Sequence, residues 1–166
     1  MLIQTIGKTM PRGFAGTYSR QPDTIIDTHP ASGNIVFGQA LVLNGTAVKI
    51  PTSTSVAGDF AGVALCEVKS ATDYLNQNEG KYVTGDAVPV IKRGCVNVVC
   101  QRGTAAYDGN VYVRVATNAS YPTAVVGGFE ASADSTNTIL LTNCKWKGAA
   151  DANGVAEIRI LAPLHA

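Results

Sequence analysis

From about residue 35 onward the chain reads in twos. In "NVYVRVA", Val111, Val113 and Val115 fall on one face of an extended chain, and Tyr112 and Arg114 fall on the other. In "CVNVVC", Val96, Val98 and Cys100 line one side; in "VAEIRIL", Ala156, Ile158 and Ile160 face away from Glu157 and Arg159. In "LLTNCKWK", Leu140, Cys144 and Trp146 share a face opposite Lys145 and Lys147. A period of two is the mark of half-buried strands, because successive side chains point to opposite faces of a sheet.

The punctuation between these runs is turn chemistry. Asn44-Gly45 splits "QALVLNGTAVKI" into two apolar halves, and an Asn-Gly pair supplies positive φ at both centres of a tight hairpin. Asp108-Gly109 and Asn153-Gly154 stand before two further alternating runs. One short helix of about two turns is expected over Ser70–Asn78, with Ser70 as its cap and Asp73 near the positive end of its dipole. The fold class is therefore all-β: a barrel or a jelly-roll-like sandwich with at most one short helix.

The N-terminal segment is different. Pro11–Asn34 shows neither period, and Pro11, Pro22, Pro30 and Ser32-Gly33-Asn34 interrupt it at uneven spacing. It nonetheless carries Phe14, Tyr18 and the pair Ile25-Ile26. The expected organisation is an extended, irregular arm over residues 1–34 and one β domain over 35–166.

Composition narrows the functional classes. At 166 residues the chain is of single-domain size and long enough to bury a core without staples. Charged residues make up 15% and the formal net charge is +1, so neither nucleic acid nor an anionic membrane is implied as a partner. Met1-Leu2-Ile3 gives way at once to polar residues, unlike a secretory leader. The expected site of synthesis is a cytoplasm. Cys66, Cys95, Cys100 and Cys144 do not have zinc or redox spacing, and are expected as free thiols, with Cys66, Cys100 and Cys144 on apolar strand faces.

Candidate chemistry is sparse. The two histidines, His29 and His165, lack further ligands at useful spacing, so no metal or cofactor is expected. Most acids sit beside Gly, Asn or Ser, as in Gly58-Asp59, Gly85-Asp86 and Asp108-Gly109, where a carboxylate accepts backbone hydrogen bonds in a turn. No nucleophile elbow or phosphate loop is present, and the reading is of a non-enzyme. A carbohydrate-binding module is the alternative; it would need an exposed aromatic platform, for which Trp146 is the sole tryptophan. Its alternation partners make it a core residue instead.

The stretch "GKYVTGDAVPVIKRGCVNV", within Phe60–Gly103, resembles the capsid cement, or decoration, proteins of tailed double-stranded DNA bacteriophages. "GFAGTYSRQPDTIIDT", "VGGFEA" and "CKWKGAADANGVAEIRI" fit the same picture. The resemblance implies a non-enzymatic β protein on the outer surface of the expanded shell. There it would tie neighbouring major capsid protein subunits together and contact copies of itself, as trimer or dimer. On that reading the arm lays Phe14, Tyr18, Ile25 and Ile26 onto a partner as anchors, with Arg12 and Arg20 as charged contacts. The other course open to the arm is to wrap its own barrel.

Overall fold

The alternating segments become strands of a sheet that closes on itself. A computed structural model of the chain describes residues 11–67 and 80–162. In chain order the strands are β1 (Tyr18–Pro30), β2 (Ile35–Val36), β3 (Ala40–Asn44), β4 (Ala47–Lys49), β5 (Phe60–Ala64), β6 (Lys81–Tyr82), β7 (Ala87–Arg102), β8 (Asn110–Arg114), β9 (Phe129–Glu130), β10 (Thr138–Trp146) and β11 (Val155–Ile160). Single 3-10 turns occupy Ala57–Asp59 and Ser135–Asn137. The helix expected over Ser70–Asn78 lies outside the described residues.

Strands β7, β9, β8, β10 and β11 follow one another by hydrogen bonding, and β11 pairs back onto β7, closing a barrel. Only the β7–β9 contact in this ring is parallel. From the other half of β7 a wing runs outward through β5 and β3 to β4. Each part has its own core. Inside the barrel Val96, Val98, Val111, Val113, Phe129, Cys144, Trp146, Ile158 and Ile160 pack together. Under the wing Ile35, Leu41, Val48, Tyr82, Val88 and Val90 form a second cluster. Strand β7 serves both, so its buried residues run almost without interruption, as expected of a strand covered on both faces.

The strand faces follow the sequence alternation with informative exceptions. Leu140 is exposed and Leu141 buried, the reverse of the expected order. A register shift between Leu141 and Lys145 where β10 meets β8 is the cause: an extra residue flips the side-chain phase, while Cys144 and Trp146 remain inside. Cys66 is exposed and lies outside the strands, whereas Cys95 is buried; all four cysteines are free. The Asn44-Gly45 hairpin forms, but Asn44 pairs with Ala47, so Gly45 and Thr46 are the central residues. Gly45 alone has positive φ, +64°, the glycine-first pattern of a type II′ turn rather than type I′.

The N-terminal segment is extended and irregular, yet it is a strand of the same sheet. β1 lies antiparallel along β7 from Tyr18↔Val96 to Pro30↔Ala87, with three register shifts between Tyr18 and Ile26. Its hydrogen bonding extends past both ends: the Gly16 amide donates to the Asn97 carbonyl, and the Ala31 amide to that of Asp86. Pairing therefore runs up to the boundary expected at residue 34. The close approach depends on Gly94, whose φ is +118° and where a Cβ would stand 2.7 Å from the Asp23 carbonyl oxygen. Periodicity missed this strand because its bulges interrupt the phase.

Candidate interaction surface

The six arm residues singled out from the sequence separate into two groups. Phe14 stands 80% exposed, and Tyr18 and Ile25 are also open to solvent. These three are available to a partner. Ile26 instead packs against the barrel core of its own chain. Arg12 and Arg20 have a partner within the chain as well: both reach Glu157, at 3.5 and 2.7 Å, Arg20 with its side chain still 66% exposed. Arg12 also donates its amide to Asp151 and its Nε to the Ala149 carbonyl. The charged contacts expected for a partner are thus the ties that fasten the arm to β11.

The tip that carries Phe14 is shaped by short-range bonds. The Thr17 amide and hydroxyl both donate to the Phe14 carbonyl. The Asn97 side-chain amide donates to the Arg12 carbonyl and the Thr17 hydroxyl. Cys66 and Gly38 close the other side through backbone bonds with Gly16 and Ala64. Phe14 is therefore presented on a fixed loop. A large apolar side chain held outward on fixed backbone loses little further entropy when it is covered. Tyr18 adds a polar handle, its hydroxyl donating to Glu67 at 2.6 Å.

Two ionic frameworks, invisible to the alternation rule, hold this surface from within. Arg114 and Glu157 were both expected on outward faces. Arg114 is fully enclosed, and Glu157 is 2% exposed. Glu130 is enclosed too; it accepts from Arg114 at 2.5 Å and from Arg102 at 2.8 Å. Arg114 reaches Asp134 at 2.9 Å, and Asn118 donates to the same carboxylate. Tyr121 lies beneath the Arg102 guanidinium, 4.5 Å from ring centre. The network joins β7, β8 and β9 to the loop before β10. The outward face of β8 is thus covered by chain, which is why a charge there is buried and paired. Around Glu157, burial opposes ionisation, but the hydrogen bond from Arg20, with its positive charge close by, outweighs it and holds the carboxyl below its ordinary range. The Asn118 bond is the largest influence that keeps Asp134 low.

Trp146 is fully enclosed, as its alternation predicts, and so offers no platform to a sugar ring. His29 places Nδ1 3.2 Å from the Thr46 carbonyl, while His165 lies outside the described residues. Among the described residues no three His, Cys, Asp or Glu side chains converge as a metal site would require. Among the described residues no helix is long and apolar enough to cross a membrane.

A closed barrel with a wing, an ionic framework and an outward apolar tip defines a scaffold that presents surface. The family model described as "Structural cement protein (E217 gp24/Pam3 gp6)" matches residues 3–161, and the chain belongs to that family. Among solved structures, a chain from "The capsid of Myoviridae Phage XM1" shares the fold with a TM-score of 0.70 at 17% identity, covering 96% of this chain and 98% of that one. No curated protein matches the chain.

Proposed function

We propose that the protein is a capsid cement of a tailed phage. It binds the outer surface of the expanded icosahedral shell and bridges neighbouring major capsid protein subunits. By doing so it stabilises the head against the pressure of packaged DNA. Its partners are the major capsid protein and adjacent copies of itself, as trimer or dimer, with no nucleic acid or membrane among them. It has no catalytic role. It is made in the host cytoplasm and ends on the virion exterior. Family membership supports the structural capsid role, and the whole-chain fold match to a chain from a phage capsid agrees with it.

The observation that carries the attachment proposal is the exposed, rigidly held Phe14, with Tyr18 and Ile25 open on the same N-terminal segment. Residues 1–34 act as the attachment segment and 35–166 as the body that presents it. Each aromatic or aliphatic anchor is worth ~1.5–3 kcal/mol if fully buried, and many copies on one shell turn modest contacts into a large total. Ile26 and Arg12 contribute indirectly, by keeping the segment in place, and Arg20 both fastens it and leaves positive charge at the surface.

The test is Phe14→Ala. Because the side chain contacts little of its own chain, the melting temperature of the free protein should stay within about 1 °C. Occupancy on purified, cement-free expanded capsids should fall about tenfold at limiting protein, the equivalent of ~1.4 kcal/mol. Unchanged occupancy would place the attachment surface elsewhere.

A further inference from the structure

Beside the arm, β1, β7 and β11 frame a cleft of about 450 Å³ lined by Arg20, Asp23, Cys95, Tyr107, Lys147 and Arg159. We infer that this cleft is a receptor for carboxylate side chains of a neighbouring protein, and that on the capsid it takes an acidic segment of the coat. The inference rests on the cement reading for the identity of the partner, and on the following geometry for the chemistry.

Three cations line the cleft, and Asp23 is the one acid among the lining residues. The two carboxylates in reach are each shared. Asp23 takes Arg93 at 2.9 Å and Arg159 at 3.4 Å; Glu157, behind Arg20, takes Arg20 at 2.7 Å and Arg12 at 3.5 Å. Lys147 has no carboxylate partner among the described residues. Its ammonium sits 4.6 Å from the Tyr107 ring centre and 3.4 Å from the hydroxyl. Arg20 commits its Nε and one terminal nitrogen to Glu157 and adds positive charge to the wall, whereas Arg159 meets Asp23 through one terminal nitrogen and is the guanidinium whose fork suits an incoming carboxylate. Tyr107, 72% exposed, supplies an apolar wall beside the charges. The whole chain carries a net charge of only +1, so the positive field is local. A polyanion such as DNA gains affinity by neutralising many phosphates along its length, whereas a compact cleft suits one or two carboxylates on a folded partner.

The experiment uses the full chain with Lys147→Glu and Arg159→Glu combined, and Lys49→Glu on the distant wing strand as the control. Both variants are first shown to keep the native circular dichroism and melt. The probes are a 20-residue polyglutamate peptide at low salt, a 20-base-pair DNA duplex, and cement-free expanded capsids. Wild type and Lys49→Glu should bind the peptide, and the double variant should bind it at least tenfold more weakly. Capsid occupancy should fall in parallel and should drop with added salt for wild type. Equal peptide binding by wild type and double variant overturns the inference whatever capsids do. Peptide discrimination with undiminished capsid occupancy overturns the assignment of the coat as the partner. Tighter binding of the duplex than of the peptide, lost in the double variant, overturns it in favour of nucleic acid. Wild-type protein that discriminates on the peptide but never decorates capsids sinks the cement reading and leaves the carboxylate cleft standing.

Discussion

Arg114 and Glu130 show how a single misplaced side chain changes the meaning of a strand. Alternation sets Arg114 outward with Tyr112, and it is indeed off the apolar face, but loops cover that side of the barrel and the guanidinium is sealed against Glu130 and Asp134. Removing one partner of such a pair leaves an uncompensated buried charge. Glu130→Leu should therefore cost about 3–5 kcal/mol in urea unfolding. Arg114→Leu combined with Glu130→Leu should cost less than Glu130→Leu alone, because the fully enclosed guanidinium is no longer stranded, while Arg102 and Asp134, which each lose a partner, keep contacts to Ser132 and Asn118. Glu157 governs the acid limit in the same way. Its carboxyl is held below the ordinary range in the folded chain. A lowered folded-state value contributes stability that is complete above the unfolded value of about 4 and is lost as pH falls through the folded one. Asp134 and Asp151 shift in the same direction and add to the same acid limb; Asp27 shifts likewise but is half open to solvent and counts for less. The melting temperature should be level from pH 7 to about 5 and fall below about 4. Glu157→Gln should flatten that acid limb, measured as melting temperature against pH.

At the scale of elements, what could be read in advance was whatever kept a regular phase. The strands over Asn110–Arg114 and Val155–Ile160 follow a plain apolar-polar alternation with a turn signal at one end, Ala40–Asn44 is an apolar run that ends on Asn-Gly, and all three form. Phase was lost at the register shift in β10 and at the three in β1. The arm therefore looked shapeless, although it forms 13 residues of strand. Its bulges are tied to its partner, since Gly94 opens the space in which Asp23 and Thr24 pass. Gly94→Ala would put a methyl against that backbone at a φ which L residues avoid. The expected cost is about 1–3 kcal/mol, with amide exchange in Tyr18–Ile26 rising before exchange in β10. Uniform destabilisation across the barrel would contradict this local account.

For the whole molecule, the surface proved less legible than the fold. Exposed Phe14 and Tyr18 could be picked out because large apolar groups in a breaker-rich segment lack an evident home. The tie of Arg12 and Arg20 to Glu157 was illegible, because Glu157 lies far along the chain and only the closed barrel brings it near. The charged cleft was illegible for the same reason: Arg20, Asp23, Lys147 and Arg159 meet only when β1 and β11 flank β7. That arrangement also sets an order in time. Val96 faces Tyr18 on one edge and Ile158 on the other, so β1, well before β7 in sequence, and β11, well after it, both depend on β7 for pairing. β1 touches β4 and the turn before it but has no ladder partner until β7 has been made, and the barrel cannot close until β11 arrives. Contacts this distant in sequence require large loops to be closed before any pairing rewards them. The chain should consequently fold slowly for its size, on a scale of milliseconds to seconds, and emerge with its N-terminal strand unpaired through most of its synthesis.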